Sequence, residues 1–382
     1  MANTTIYPYG QGGQTPSGIG LNAGTFADAY DLAKANNYIF PWMLIDEDEE
    51  GNPIKKMIWH TGNGEFIDAL GAEISGQRNG LTVTVTKACD MVVNGTTYAL
   101  SEGDNNFSRG DLSISPTGSI VDEILFYNTG TSTSTKSSVT AIDFGNIPLR
   151  ITTTGKNSMK DFTNLTKIDR LMLSSSNWFY SVFTNCKVSE VKVSGTITSQ
   201  DILGIFDGCT LLEKADFSEL TLRQNNGSNQ QATLLYNCPL LKEVDVRLLD
   251  LSKTKTPNRI LASASIKKLT IGENFTNTGF TGKGELLSGV TGATLIIVSS
   301  TPPKLKNCSF TNSVANDEHA TTYDWLSYTS NGNVIRRFDA IYVPDDAVDT
   351  YKTDVYVENG TVGNTGWSYY ADIIKPMSEY VE

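Results

Sequence analysis

From about residue 120 onward, apolar residues recur as pairs with one position between them. The pairs are Ile142/Phe144, Leu171/Leu173, Val191/Val193, Ala215/Phe217, Val244/Val246, Leu269/Ile271 and Leu295/Ile297. Alternate side chains of a strand face the same way, so each pair marks a short strand with one buried face. The residue between, such as Lys192, Asp216 or Asp245, then faces outward. A common run precedes several pairs: Phe162-Thr163-Asn164-Leu165, Phe183-Thr184-Asn185-Cys186, Phe206-Asp207-Gly208-Cys209 and Leu235-Tyr236-Asn237-Cys238. Anchored on the first member of each pair, the steps are 29, 20, 24, 29, 25 and 26 residues. Leucine-rich repeats take about 20–29 residues, so every step lies in their range. One such unit cannot bury its apolar face alone, and stacked units give a parallel ladder with a continuous core.

The N-terminal part reads differently. Residues 1–24 are rich in Gly, Pro and Tyr without periodicity, the pattern of an extended arm that either stays disordered or orders against a partner. Thr25 and Asp28 have capping-box spacing. Phe26, Ala29, Tyr30 and Ala33 then repeat at helical spacing, which predicts a short helix over Thr25–Asn36. Tyr38–Ile45 and Ile54–His60 read as a hairpin around the acidic run DEDEEGNP. Leu81–Thr86 alternates as a half-buried strand, with Tyr98–Leu100 as its candidate partner, and Ser101–Pro116 reads as polar turns. The fold class expected is mixed α/β with strands predominant. An extended arm (1–24) and a small α+β module (25–75) lead through a β-rich connecting segment (76–119) to an irregular repeat solenoid (120–300) and a C-terminal cap (301–382).

Composition narrows the function classes. Lys and Arg number 30 against 42 Asp and Glu, a net charge of −12. A nucleic-acid binder needs a basic footprint, so that class is excluded. A chain of 382 residues buries a large core without disulfides or metal. The longest apolar run, Tyr38–Ile45, is far short of the ~18 residues of a membrane span. Met1–Gly13 has no basic stretch and no apolar core, so no leader is expected and synthesis in a cytoplasm is. The five cysteines, Cys89, Cys186, Cys209, Cys238 and Cys308, form no C-x-x-C pair and are expected as reduced core thiols.

The repeats resemble the BspA-type leucine-rich repeats of Bacteroidales surface proteins, whose units run aromatic-x-x-Cys, then Leu, then Val-x-Ile. The C-terminal order is similar too: Thr301-Pro302-Pro303, Ile341-Tyr342-Val343-Pro344, Ala347–Lys352, and Gly366-Trp367 through Tyr370-Ala371 to Pro376-Met377. The first ten residues, MANTTIYPYG, and Ile58–Ala69 resemble virion proteins of Bacteroidales phages, including crAss-like phages. Together the resemblances imply a non-enzymatic virion structural protein, a head or tail fibre or decoration protein. It would anchor to capsid or tail proteins through its N-terminus and face the host through its solenoid. They also imply a homotrimer located in the virion, with a host surface glycan or protein as partner. A bacterial BspA-like surface adhesion protein is the alternative from another class.

Candidate chemistry is sparse, and no catalytic, cofactor-binding or metal residue is assigned. Asp46–Gly51 has alternating carboxylates and a sixth-position glycine, but residue 57 is Met where a calcium loop needs its bidentate Glu, so a solvated hairpin tip is expected. His60 and His319 are the only histidines and lie too far apart for a local zinc motif. Neither G-x-S-x-G nor a phosphate-cradling loop nor H-E-x-x-H occurs. Tyr342, Tyr351, Trp367, Tyr369 and Tyr370 could stack on sugars, but a solenoid needs an aromatic-filled terminal cap and that role is expected instead. The loops Thr131–Ser138, Arg223–Gln231 and Asn312–Asn333 and the outward strand positions are the expected binding surface. A polysaccharide depolymerase, the third reading, would require a carboxylate pair about 5–10 Å apart in a groove; the sequence offers no such pair, and two facing acids on adjacent coils would revive it.

Overall fold

A computed structural model describes residues 4–8, 21–23, 42–47, 53–60, 66–68, 80–108, 110–114, 121–128, 135–145, 147–151, 159–175, 179–180, 182–199, 202–224, 231–257, 260–262, 265–276, 287–288, 290–305, 325–330, 333–355, 357–358, 361–362 and 366–381. Its contacts divide the chain into two compact units. The first comprises residues 1–82, 106–120 and 144–148, and the second residues 83–105, 121–143 and 149–382.

In the first unit five strands form an antiparallel sheet in the order Leu21–Ala23, Thr4–Pro8, Trp42–Glu47, Pro53–His60, Phe66–Asp68. The hairpin of the acidic run is therefore present, with Glu47 opposite Pro53. Residues 1–24 contribute two strands to that sheet, because Thr4–Pro8 pairs on one side with Leu21–Ala23 and on the other with Trp42–Glu47. The helix expected over Thr25–Asn36 lies outside the described residues.

The second unit begins with a small antiparallel sheet. Thr96–Leu100 pairs with Cys89–Val93, so Tyr98 faces Met91 and is not the partner of Leu81–Thr86. The reason is Asn94-Gly95, whose φ values of 47° and 83° form a two-residue hairpin turn with both centres left-handed. An Asn-Gly turn between apolar runs fixes the shortest hairpin, and a longer pairing cannot compete with it. Ile124–Asn128 completes this sheet on the other side of Cys89–Val93. Gly103–Ser108, expected as turns, is a strand of alternating burial.

The rest of the second unit is a β-solenoid of about four turns, strand-dominated and with few helices. Its main wall is a parallel sheet in the order Leu149–Ile151, Leu171–Ser175, Glu190–Ser199, Lys214–Gln224, Glu243–Asp245, Lys268–Ile271, Ala293–Ile297, Phe338–Val343, Ile374–Pro376. Two shorter rows, of four and three strands among the described residues, accompany part of it, one ending at Thr256–Pro257 and one at Leu287–Ser288. All fourteen residues of the seven apolar pairs are at most 4% exposed. The stacking register runs Val191, Ala215, Val244, Leu269, Leu295, Ile341. Earlier coils depart from the sequence frame. Leu171 stands opposite Val193 rather than Val191, and Ile142 opposite Ile168. Arg170, at φ 48°, breaks the strand between Ile168 and Leu171 and resets the register there.

The bend before each strand explains the Asn-Cys and Gly-Cys dipeptides. Asn185, Gly208 and Asn237 have φ of 63°, 70° and 56°. Only Gly, and Asn among residues with a side chain, adopt this left-handed geometry readily. The backbone then passes from coil to coil without interruption: Glu213 N donates to Ser189 O, Lys242 N to Glu213 O, and Lys267 N to Lys242 O.

The cap closes the stack with aromatic packing. Trp325 lies edge-on to Phe275, Phe338 and Trp367 at 5.2, 6.2 and 6.2 Å between ring centres. Trp367 Nε1 donates to Pro303 O at 2.6 Å, and the Tyr351 hydroxyl to Ser299 O at 2.8 Å. The Thr-Pro-Pro turn is thus the acceptor for the Gly-Trp segment 60 residues away in sequence.

Gly195 sits close against the preceding coil. Its φ is 110°, and a Cβ there would meet Leu173 O at 2.2 Å. Gly195→Ala should therefore cost about 2–4 kcal/mol through backbone strain and overpacking. Urea unfolding followed by circular dichroism measures this, and a loss below about 1 kcal/mol would mean that the Leu173 backbone yields without strain.

Candidate functional site

The outward face of the main wall is built by register. Because side chains alternate and strands stack in phase, outward residues line up in rows across the coils. One row reads Glu190, Lys214, Glu243, Lys268, alternating in sign. Lys214 Nζ lies 3.6 Å and Lys268 Nζ 3.9 Å from Glu243 Oε2. Just before the strands, Lys242 pairs with Glu213 at 2.6 Å. Exposed pairs of this kind contribute about 0–1 kcal/mol each, while like charges in register would repel, so the alternation mainly fixes register.

The second row reads Lys192, Asp216, Asp245, Thr270, Ile296, Tyr342, Lys375. Asp216 and Asp245 are in register on adjacent strands, about 4.8 Å apart along the stack. These are the two facing acids that a depolymerase reading requires. Their hydrogen bonds, however, close on the protein. Asp245 holds the Arg247 guanidinium through both oxygens, with Nε at 3.0 and 3.1 Å, and accepts the Arg247 backbone N–H at 3.1 Å. Asp216 accepts the Ser218 backbone N–H at 2.9 Å. Arg247 is held more firmly protonated than usual, chiefly by its hydrogen bond to Asp245, opposed by burial, with the charge of Asp216 adding. The trio carries one net negative charge and stabilises two Asx-type turns, with the Asp245 oxygens committed to Arg247 and Asp216 Oδ1 to the Ser218 N–H.

The other sequence candidates fall as follows. Tyr351, Trp367 and Tyr370 are at most 1% exposed and fill the cap, whereas Tyr369 is 48% exposed and Tyr342 lies on the outer wall. Arg336 reaches over Tyr369 and Tyr370 and pairs with Asp372 at 2.6 Å. Asp46 and Glu47 lie in the hairpin strand, and residues 48–52 lie outside the described residues. His60 ends a strand opposite Phe66, while His319 and Cys308 lie outside the described residues. Of the expected binding loops, Lys136–Ser138 is a 3-10 turn, and Asn333 opens one strand of the hairpin Ser327–Ser330/Asn333–Arg336. Residues 225–230 and 306–324 lie outside the described residues. Among the described residues no group of three or more His, Cys, Asp and Glu comes together to hold a metal ion.

Four cysteines are free and buried. Three repeat one contact from coil to coil: Cys186 Sγ lies 3.4 Å from Met159 O, Cys209 Sγ 3.0 Å from Phe183 O and Cys238 Sγ 3.2 Å from Phe206 O. A small weakly donating group fits this tight bend, where a hydroxyl would need a better partner. The Cys186 thiol beside it, and then burial, pushes Cys209 far above its ordinary value, and burial pushes Cys238 up to about 12. Thiolate is the reactive form, so Cys209 and Cys238 should resist a disulfide reagent such as DTNB in the native protein and react on unfolding. Fast labelling of Cys209 at pH 8 in native buffer would contradict this.

Asp207 occupies the same bends. Its Oδ1 accepts the Tyr236 N–H at 2.9 Å, yet burial outweighs that bond and pushes its carboxyl up to about 6. The folded state therefore holds a proton that the unfolded state releases near 3.8, and stability falls as pH rises from about 4 to 6. Asp207→Asn keeps the acceptor and removes the charge. It should raise stability at pH 7 by about 1–3 kcal/mol, with the gain vanishing below pH 4. Thermal melts of both proteins across that range measure it.

Two features escaped sequence reasoning. The Asp216/Asp245 juxtaposition was available from the repeat alignment, which puts both at the same outward position one coil apart. Tyr380, which lies against Tyr342 at 5.1 Å between ring centres, has no periodic signal at all. No protein-family model matches the chain, and no curated protein matches it.

Proposed function

We propose that this chain is a non-enzymatic adhesion protein of a phage particle, a fibre or decoration protein whose N-terminal unit attaches to the virion and whose solenoid unit faces the host. The observation that carries the adhesive half is the outer wall: a long parallel sheet with rows of outward side chains in register, held by a buried core. A scaffold of this kind presents an extended surface for a macromolecule. The phage half rests on the N-terminal resemblance, and the repeat and cap motifs support a BspA-like leucine-rich-repeat solenoid. The division into two compact units is compatible with separate attachment and recognition roles. The Asp245–Arg247 pair, which commits one of the two facing acids to an ion pair, favours binding over glycoside cleavage.

Light scattering of the purified protein tests the fibre reading. A fibre trimer gives a native mass of about 125 kDa, three times the 41.6 kDa of one chain. A mass of 41.6 kDa that persists at high concentration favours the second reading, a bacterial BspA-like surface adhesion module.

A further inference from the structure

The outer wall is open along its first coils and covered near its end. Tyr380 lies with its ring centre 5.1 Å from that of Tyr342 and takes the Lys268 Nζ at 5.5 Å from its own ring centre. Lys268 and Tyr342 sit on strands separated by Ala293–Ile297, nearly 10 Å apart. The Tyr380 ring therefore crosses over that middle strand. Its outward residue Ile296 is only 7% exposed, and Thr270, next in the row, only 4%. Along the same row Lys192 is exposed and Asp216 and Asp245 are half-buried, so burial is greatest where the Tyr380 ring lies.

The covering segment is short and lightly fastened. Ser378 N donates to the Asp345 carboxylate at 2.9 Å, Tyr380 N donates to Met377 O at 3.0 Å, and Val381 beyond it is 86% exposed. The face beneath combines an apolar centre, Ile296, an aromatic wall, Tyr342, and two cations, Lys268 and Lys375, the latter with Nζ 6.0 Å from the Tyr342 ring centre. What occupies it is an aromatic side chain with Glu379 and Glu382 to either side in sequence.

We propose that the wall at Thr270, Ile296 and Tyr342 is a docking surface for an acidic peptide bearing an aromatic residue, and that the C-terminal segment around Tyr380 is its built-in competitor. Tyrosine supplies rigid buried area against Ile296 and Tyr342 at small entropic cost, and flanking acids complement Lys268 and Lys375. A tethered competitor at a local concentration of about 1 mM lowers the apparent affinity of every partner for the face by one plus that concentration over the segment's own dissociation constant.

The test uses the full-length protein and a labelled peptide of sequence MSEYVE, read by fluorescence anisotropy at low salt. Tyr380→Ala should bind it saturably and at least about tenfold more tightly than the unaltered protein, since a self-occupied site weakens binding by one plus the local concentration over the dissociation constant. Lys268→Glu added to that variant should abolish the binding, as should a peptide with Ala in place of Tyr. Asp345→Ala, which releases the segment without touching the face, should move affinity in the same direction and serves if Tyr380→Ala fails to fold. Equal binding by the unaltered and released proteins, or none by a folded released variant, overturns the proposal. So does a released variant that gains affinity for an acidic oligosaccharide such as oligogalacturonate and none for the peptide.

Discussion

Everything in the second unit depends on one requirement: each coil must return its backbone to within hydrogen-bonding distance of the coil before it. A parallel ladder supplies the bonds, but only if the chain turns back at the same place every time. The left-handed bends at Asn185, Gly208 and Asn237 make that return, and the buried thiol after each one packs against the preceding coil. The apolar pairs then fall into phase, and the core follows from the register. Where the bend chemistry changes, as at Arg170, the phase is lost and the ladder has to be restarted in a new frame.

The same register governs the surface. Outward residues belong to rows whose neighbours are fixed by coil spacing, so a charge is chosen against the residues one coil before and one after it. Glu243 between Lys214 and Lys268 satisfies both neighbours. Asp216 and Asp245 do not satisfy each other, and Arg247 resolves the conflict. A pair that resembles catalytic carboxylates by position is better understood as two like charges forced together by stacking, with Arg247 offsetting one of them.

The sequence shows the solenoid because its signal is local and repeated. A two-residue alternation needs no long-range information, and every expected pair is buried. Three kinds of feature are not legible in that way. The Asn94-Gly95 hairpin was present as a dipeptide, yet a period-2 reading gives its weight to the strands and passes over the turn between them. The register slip at Lys192/Ser194, where Val193 faces a wider stretch of the next coil, depends on side-chain fit rather than on pattern. The Tyr380 contact joins positions brought together only by the completed stack, and neither segment carries a signal for the other.

Two of the stacked rows end in strands that contain proline, Thr256–Pro257 in the second row and Ile374–Pro376 in the main wall. Proline has no amide hydrogen to offer a further strand. The stack is therefore directional: the last edge of these two rows offers fewer amide donors than any edge inside the wall, so it is a weaker template for a further strand.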